Sequence, residues 1–260
     1  MSTPLSDAPI SLPGGFVTEL RRLNVGCGFD IREGYINVDM NDFHGPDVVA
    51  DIVDLDGFPS GAFDEVFAKD VIEHFLWCLT PVALQSWNRV LRKGGRLVVT
   101  TTYLPGLAQR ILSPEYQADL PLQQLTLINL FSSQSYPGDF HYTAFTERQL
   151  RFHAHRAGFD VADVVLVGGW LIQMTMVKID DRQNSALTDG DDESFIRRMY
   201  LEFLGREPET EGMARWIKGL SSGELDRRGL RAVIIGGLER QNLDQKDMAA
   251  FDPGPLTTGI

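Results

Sequence analysis

Two short runs of strand-forming residues, Arg22 to Val25 and Tyr35 to Asp39, stand so close in the chain that no helix fits between them. Parallel strands ordinarily need a crossover of a dozen or more residues, yet Asp39 follows Gly28 by only about eleven positions. Phe29 to Gly34 must therefore bridge the strands as a loop, and Asn41 to Pro46 replaces the next helix in the same way. One face of the sheet is expected to be thinly covered near Asp39. Between the runs, Gly26-Cys27-Gly28 lets the backbone turn tightly and approach a ligand more closely than a side chain would allow, although such a pair also suits an ordinary turn. Asp39, closing its run, is placed to accept hydrogen bonds from both hydroxyls of a ribose. The spacing disfavours a dinucleotide site, whose acidic residue is expected about twenty positions on.

The alternation continues along an α/β chain. Further strands are expected at Val48 to Ile52, Phe63 to Ala68 and Arg96 to Thr102, and a helix at Leu79 to Leu91, with Pro81 in its first turn and Lys93-Gly94-Gly95 as its stop. Thr146 caps a second helix that runs to Ala157, and Val161 to Val167 with Leu171 to Ile179 read as an antiparallel pair closing a mostly parallel sheet. Leu104 to Thr143 is a long insertion punctuated by Pro105, Pro114, Pro121 and Pro137 and partly helical around Leu122 to Phe131. Insertions of that length are usually functional, and this one is expected to be the substrate lid. The expected division is an N-terminal arm (1–20), a main domain (21–180) with its lid at about 104–143, a linker (181–193), a helical module (194–243) and a flexible tail (244–260).

Composition narrows the functional classes. With 260 residues, 43% of them hydrophobic, the chain can bury one full-sized core and carry a small second module. A formal charge of -12, with Lys and Arg scattered, argues against a nucleic-acid partner. Cys27 and Cys78 are the two cysteines, too few for a disulfide framework, which fits a reducing compartment. Neither a membrane-spanning run nor a signal peptide is visible, so a cytoplasmic protein without membrane insertion is expected.

An ordered series of blocks carries more than any one of them: Leu23-Asn24-Val25-Gly26-Cys27-Gly28, then Gly34-Tyr35-Ile36-Asn37-Val38-Asp39, then Asp51, Phe63-Asp64-Glu65-Val66, Glu73-His74 and Leu91-Arg92-Lys93-Gly94-Gly95-Arg96-Leu97. From about Arg21 to Lys178 the chain resembles the class I S-adenosylmethionine-dependent methyltransferases, in particular a bacterial branch with these motifs. The resemblance implies a Rossmann-like sheet, here with reduced first crossover helices, and S-adenosylmethionine as cofactor, leaving S-adenosylhomocysteine as product. It further implies that Gly26 and Gly28, with Cys27 and Met40 beside the turn and Asp39, line the cofactor. Asp39 would bind ribose, Asp51 the adenine amino group beside the Ile52 backbone, and Asp70 would lie near the methionine end and the substrate. Asn24 departs from the family's acidic residue at the head of the glycine motif, so its hydrogen bond to the cofactor's amino end would be neutral.

Methyl transfer from a sulfonium is an in-line displacement, so a hydroxyl acceptor needs alignment and a base. His141, at the end of the lid in a block resembling the family's H-x-x-x-F-[ST]-x-x-x-L, is expected to be that base; otherwise it only positions the lid. Asp70, Glu73 and His74 would share one helical face and could hold a divalent cation; the simpler reading has Glu73 and His74 packing the helix start, and no metal is assigned. His44, His153 and His155 are expected in solvent, Cys27 and Cys78 as packing, and Tyr103 and Tyr136 as flanks of the lid able to floor a ring substrate.

The segment from Phe195 through Leu204-Gly205-Arg206-Glu207-Pro208, Gly212 and Trp216 resembles a helical module of unknown function found in bacterial surface and carbohydrate-related proteins. That association suggests a small or saccharide-linked acceptor in surface-glycan or secondary metabolism; a structural cap or homodimer contact is the plainer role. The competing class is a non-catalytic cofactor- or carbohydrate-binding protein on the same fold.

Overall fold

The computed structural model describes residues 8–181 and 190–256. The chain divides into two compact units, Met1–Gln183 with Pro253–Ile260, and Asn184–Asp252. Parts of the expected arm (1–7), linker (182–189) and tail (257–260) lie outside the described residues. Among the described residues no helix is long and apolar enough to cross a membrane.

The first unit is built on a seven-stranded sheet. Its strands are β1 (Arg22–Val25), β2 (Ile36–Asp39), β3 (Val48–Val49), β4 (Phe63–Lys69), β5 (Leu91–Thr102), β6 (Phe159–Val167) and β7 (Leu171–Lys178). In space they run 3-2-1-4-5-7-6. The first five are parallel, and β7 lies antiparallel between β5 and β6. Leu23, Val25, Ile36, Val38, Val66 and Leu97 are fully buried, as the central strands of a sheet covered on both faces require. A hairpin of two-residue strands, Ile10–Ser11 and Val17–Thr18, occupies the end of the expected arm.

The connections follow the expectation from spacing. Residues 26–35 form a loop, and 40–47 contain only the 3-10 turn Asp42–His44. The cover there is thin: Phe29, Ile31, Met40, Phe43 and Val49 are all exposed. Two boundaries differ. The strand expected over Val48 to Ile52 stops at Val49, because Asp51 turns the chain by accepting the Leu55 N–H on its backbone oxygen (3.0 Å) and the Val53 N–H on its side chain (2.8 Å). The helix expected to halt at Lys93-Gly94-Gly95 is α1 (Thr80–Val90), and Leu91 already starts β5; Gly94 (φ +75°) lies in an irregularity of that strand. The indole of Trp87, on the buried side of α1, donates to the Ile52 carbonyl (2.8 Å).

The insertion expected to be a lid is more helical than its prolines suggest, with α2 (Leu104–Ile111), α3 (Pro114–Ala118) and α4 (Leu120–Phe131), each carrying proline in its first turn. A Cβ at Gly106 would stand 1.9 Å from the Gly169 carbonyl oxygen, so α2 is seated directly against the β6–β7 turn. The chain leaves the lid through Phe145, whose N–H donates to the Thr102 carbonyl (3.0 Å), and enters α5 (Glu147–Arg156) through a Thr146–Gln149 capping box.

The second unit contains α6 (Asp192–Leu204), α7 (Thr210–Ser222), α8 (Arg227–Gly236) and α9 (Leu238–Ala250). Asp191 and Asp226 cap α6 and α8, and left-handed Gly205 and Gly223 end α6 and α7. Phe195, Ile196, Met199, Phe203, Leu230 and Ile235 are its core. The expectation of a flexible tail from 244 is corrected: 244–250 are helical in α9. Arg240 holds that helix, donating to the Phe203 carbonyl (2.6 Å) and to Asp244 one turn on.

Candidate active site

The order of the sheet reverses between β1 and β4, and ligands of open α/β sheets bind at such a switch point beyond the carboxyl ends of the strands. A cavity of about 400 Å³ lies there, and Asn24, Gly26, Cys27, Gly28, Asp39, Met40, Asp51, Ile52 and Asp70 all line it. His141, expected to be the base, is not part of its wall.

Gly26 (φ +62°) and Gly28 (φ +50°) adopt the left-handed conformation. A Cβ at Gly26 would meet Val71 Cγ2 at 2.8 Å, whereas one at Gly28 would meet nothing within 4 Å and would project into open space. The turn therefore offers bare backbone to a ligand. The buried Asp39 accepts the Gly28 N–H on Oδ2 (2.9 Å) and the Asn41 N–H on Oδ1 (2.8 Å). A carboxylate has about four lone-pair sites, so two remain for the hydroxyls of a ribose. This cradle fits the nucleoside part of S-adenosylmethionine. Asn24 turns its amide inward, donating to the Asp30 carbonyl (2.7 Å) and to Asn37 Oδ1 (3.0 Å), so only its oxygen can serve a ligand. The Cys27 thiol is pushed up to about 12, first by burial and then by the Asp39 charge, which suits packing rather than nucleophilic chemistry.

The expected helical face of Asp70, Glu73 and His74 does not form. Asp70 is left-handed (φ +54°), and a 3-10 turn, Ile72–His74, follows it. Glu73 points into the protein, accepting from Thr101 Oγ1 (2.8 Å) and the Thr102 N–H (3.3 Å); burial pushes its carboxyl up to about 7. Among the described residues no group of three or more His, Cys, Asp or Glu is placed to hold a metal ion. Asp70 reaches the cavity, its carboxyl raised by burial against the opposing pull of Lys69.

His74 stands on the cavity wall, and its Nδ1 is 3.0 Å from the Gly138 carbonyl. His141 lies edge-on to it, ring centroids 4.6 Å apart, with Nδ1 3.1 Å from the Asn129 carbonyl. Carbonyl partners require Nδ1–H on the neutral rings, and the Phe140 and Leu130 backbones add further hydrogen bonds to His74 and His141. Burial lowers both pKa values, His141 to about 4 with the neighbouring His74 adding to the effect. Tyr136 lines the cavity as expected of a lid residue, but Tyr103 is buried at a bridge with Phe145. His44, expected in solvent, is buried on the cavity wall beside Asp39. Nothing local in Asp42-Phe43-His44-Gly45 signals that burial, because Phe29 and Tyr136 close on the ring from elsewhere in the chain.

A family model described as a methyltransferase domain matches residues 12–99, and one for a domain of unknown function matches residues 176–242. Among curated proteins none matches the chain. Similar solved structures include the 1,6-didemethyltoxoflavin-N1-methyltransferase of Burkholderia thailandensis (17% identity, TM-score 0.42, covering 61% of this chain and 71% of that one). A methyltransferase of Methanosarcina mazei shows 15% identity and a TM-score of 0.46, with coverage of 67% and 94%. One from Mesorhizobium loti shows 15% and 0.43, with coverage of 61% and 91%. Assignment rests on the matched segment, on the sheet order and on the glycine turn facing Asp39, rather than on these distant likenesses. Residues 12–99 thus match a methyltransferase domain, on a Rossmann-like sheet whose glycine turn faces Asp39.

Proposed function

We propose that the protein methylates a hydroxyl or amine of a small or saccharide-linked acceptor admitted beneath the lid, in bacterial surface-glycan or secondary metabolism. The observation that carries the cofactor half of this reading is the Asp39 carboxylate, fixed by the Gly28 and Asn41 N–H groups with two acceptor sites left over. In this reading Asp39 takes the ribose diol, Gly26 and Gly28 admit the methionine and ribose by bare backbone, Met40 and Ile52 flank the adenine, and Asp51 accepts from its amino group. S-adenosylmethionine supplies an activated methyl group to a nucleophile aligned behind it. Asp70 lies at the methionine end and steers the acceptor.

The acceptor's proton goes to the histidine pair. His74 is nearer the cavity than His141, so His74 takes the proton and His141 supports the ring from behind. Both imidazoles are held neutral at neutral pH, the form a base needs. The saccharide half of the reading is supported by the pattern of the second unit alone.

Calorimetry with S-adenosylmethionine and S-adenosylhomocysteine tests the cofactor; saturable binding of both is expected, and binding of neither overturns the reading. A labelled-donor screen of nucleotide sugars and glycans then tests the acceptor. With an acceptor in hand, His74→Ala is expected to lower turnover by roughly 100-fold or more and His141→Ala by less; the reverse order would return the base to His141.

A further inference from the structure

The cavity wall is one-sided in charge. Asp30, Asp39, Asp51 and Asp70 line it, and Lys69 is the one lysine or arginine among the described lining residues. Asp30 is already paired with Arg32 (3.1 Å), and Asp39 is fixed by the Gly28 and Asn41 N–H groups. Lys69 is exposed, and among the described residues no hydrogen bond or salt bridge engages its ammonium.

Its place is set by the sheet. Strands β1 and β4 are parallel with Asn24 opposite Phe67, so the chain leaves β4 through Lys69 beside the point where β1 gives way to the Gly26 turn. The two segments are in close contact, a Cβ at Gly26 standing 2.8 Å from Val71 Cγ2. Left-handed Asp70 (φ +54°) breaks the alternation that sends neighbouring strand side chains to opposite faces, and Lys69 and Asp70 both reach the cavity. Burial raises the Asp70 carboxyl and the charge of Lys69 draws it back, so the ammonium lies within electrostatic reach of that carboxyl.

S-adenosylmethionine brings three charged groups to such a wall: the sulfonium and the α-ammonium, both cationic, and the α-carboxylate. A wall rich in carboxylates suits the two cations and repels the anion. The α-carboxylate therefore needs a cation beside it, and the chain supplies one next to the glycine turn.

We propose that Lys69 binds the α-carboxylate of the donor's methionine part, so that an acidic cavity accepts a ligand that is itself part anion. The assignment rests on the S-adenosylmethionine reading of the cavity and adds to it a residue outside the glycine turn and the Asp39 block.

Calorimetry on the full chain, run as a cycle over ligand and side chain, tests the contact. S-adenosylhomocysteine is compared with its decarboxylated analogue, which keeps the amine, in the unsubstituted chain and in Lys69→Met, which keeps the apolar stem and removes the charge. The unsubstituted chain is expected to prefer S-adenosylhomocysteine by roughly five- to tenfold. The Met variant is expected to bind the two ligands within about twofold of each other. General damage to the site would weaken both ligands alike and leave the preference in place, so a Met variant that keeps the preference overturns the assignment. An unsubstituted chain that binds both ligands equally overturns it as well. Absence of binding of either ligand by the unsubstituted chain overturns instead the cofactor reading on which the assignment stands.

Discussion

The two edges of the sheet are built to different rules. At one edge β1, β2 and β3 have four, four and two residues and are joined by loops. At the other, β5, β6 and β7 have twelve, nine and eight residues and pair antiparallel. Gly26, Gly28, Asp39, His44 and Asp51 all come from the short-stranded edge and its loops. The polar groups buried at the long-stranded edge serve structure instead: Lys178, 3% exposed, donates to the carbonyls of Asn88 and Leu91 (both 2.8 Å), capping the end of α1. Most of the cavity wall and this structural lysine thus lie on opposite sides of β4.

The largest expected effect tests the structural edge. Lys178→Met leaves two carbonyls at a helix end without their ammonium and is expected to lower stability by about 3 kcal/mol, seen as a melting temperature lower by roughly 6–12 °C. The affinity of the folded fraction for S-adenosylhomocysteine should stay within about twofold. A large loss of affinity would break the separation. Asp39→Asn is the converse and should weaken S-adenosylhomocysteine binding by roughly 30- to 100-fold, about 2–3 kcal/mol, with a smaller change in melting temperature than the lysine variant. A melt lowered as far as by Lys178→Met would show that Asp39 also carries the edge.

The smallest effect probes Glu73, on the turn between the two. Its folded pKa, raised to about 7, lies above its ordinary value of 4.5, so the native state binds the proton more tightly between those limits. Its contribution is therefore full below about pH 4.5 and is lost as pH rises through about 7. Glu73→Gln, neutral throughout, is expected to be more stable than the unsubstituted chain at pH 8 and to match it at pH 4. Urea unfolding at both pH values measures the difference. The comparison between variants is needed because His141, lowered to about 4, acts oppositely: its contribution is lost as pH falls through that value. Equal stability of the two chains at pH 8 would mean that burial imposes no such penalty on Glu73.

Much of the cofactor edge was legible because its signals are local: strand runs, glycines and an acidic residue set the turn, and a count of residues left no room for helices. The lid was less legible. Pro105, Pro114 and Pro121 looked like interruptions, but each sits where proline starts a helix, its missing N–H being unneeded there. Asp70, Glu73 and His74 carry helical spacing, yet the left-handed Asp70 backbone sends their side chains apart. His44 and His141 owe their burial to partners elsewhere in the chain, Phe29 and Tyr136 in one case and Asn129 in the other. Helix α9 is mostly polar and depends on Arg240 reaching the end of α6, a contact that no periodicity reveals.

The close seating of Gly106 against Gly169 fixes the insertion at its root to the long-stranded edge, away from most of the cavity wall. Tyr136 and Gly138 of the insertion reach the cavity wall, and Gly138, His141, Tyr142 and Thr143 contact the Glu73-His74 turn. The far end of the insertion is tied down separately: Asn129 and Phe131 offer carbonyls to the His141 ring and N–H, and Ser132, Ser133 and Ser135 donate to Asp139, so the stretch between the two anchors, about 112–128, is the part free to vary without moving either end.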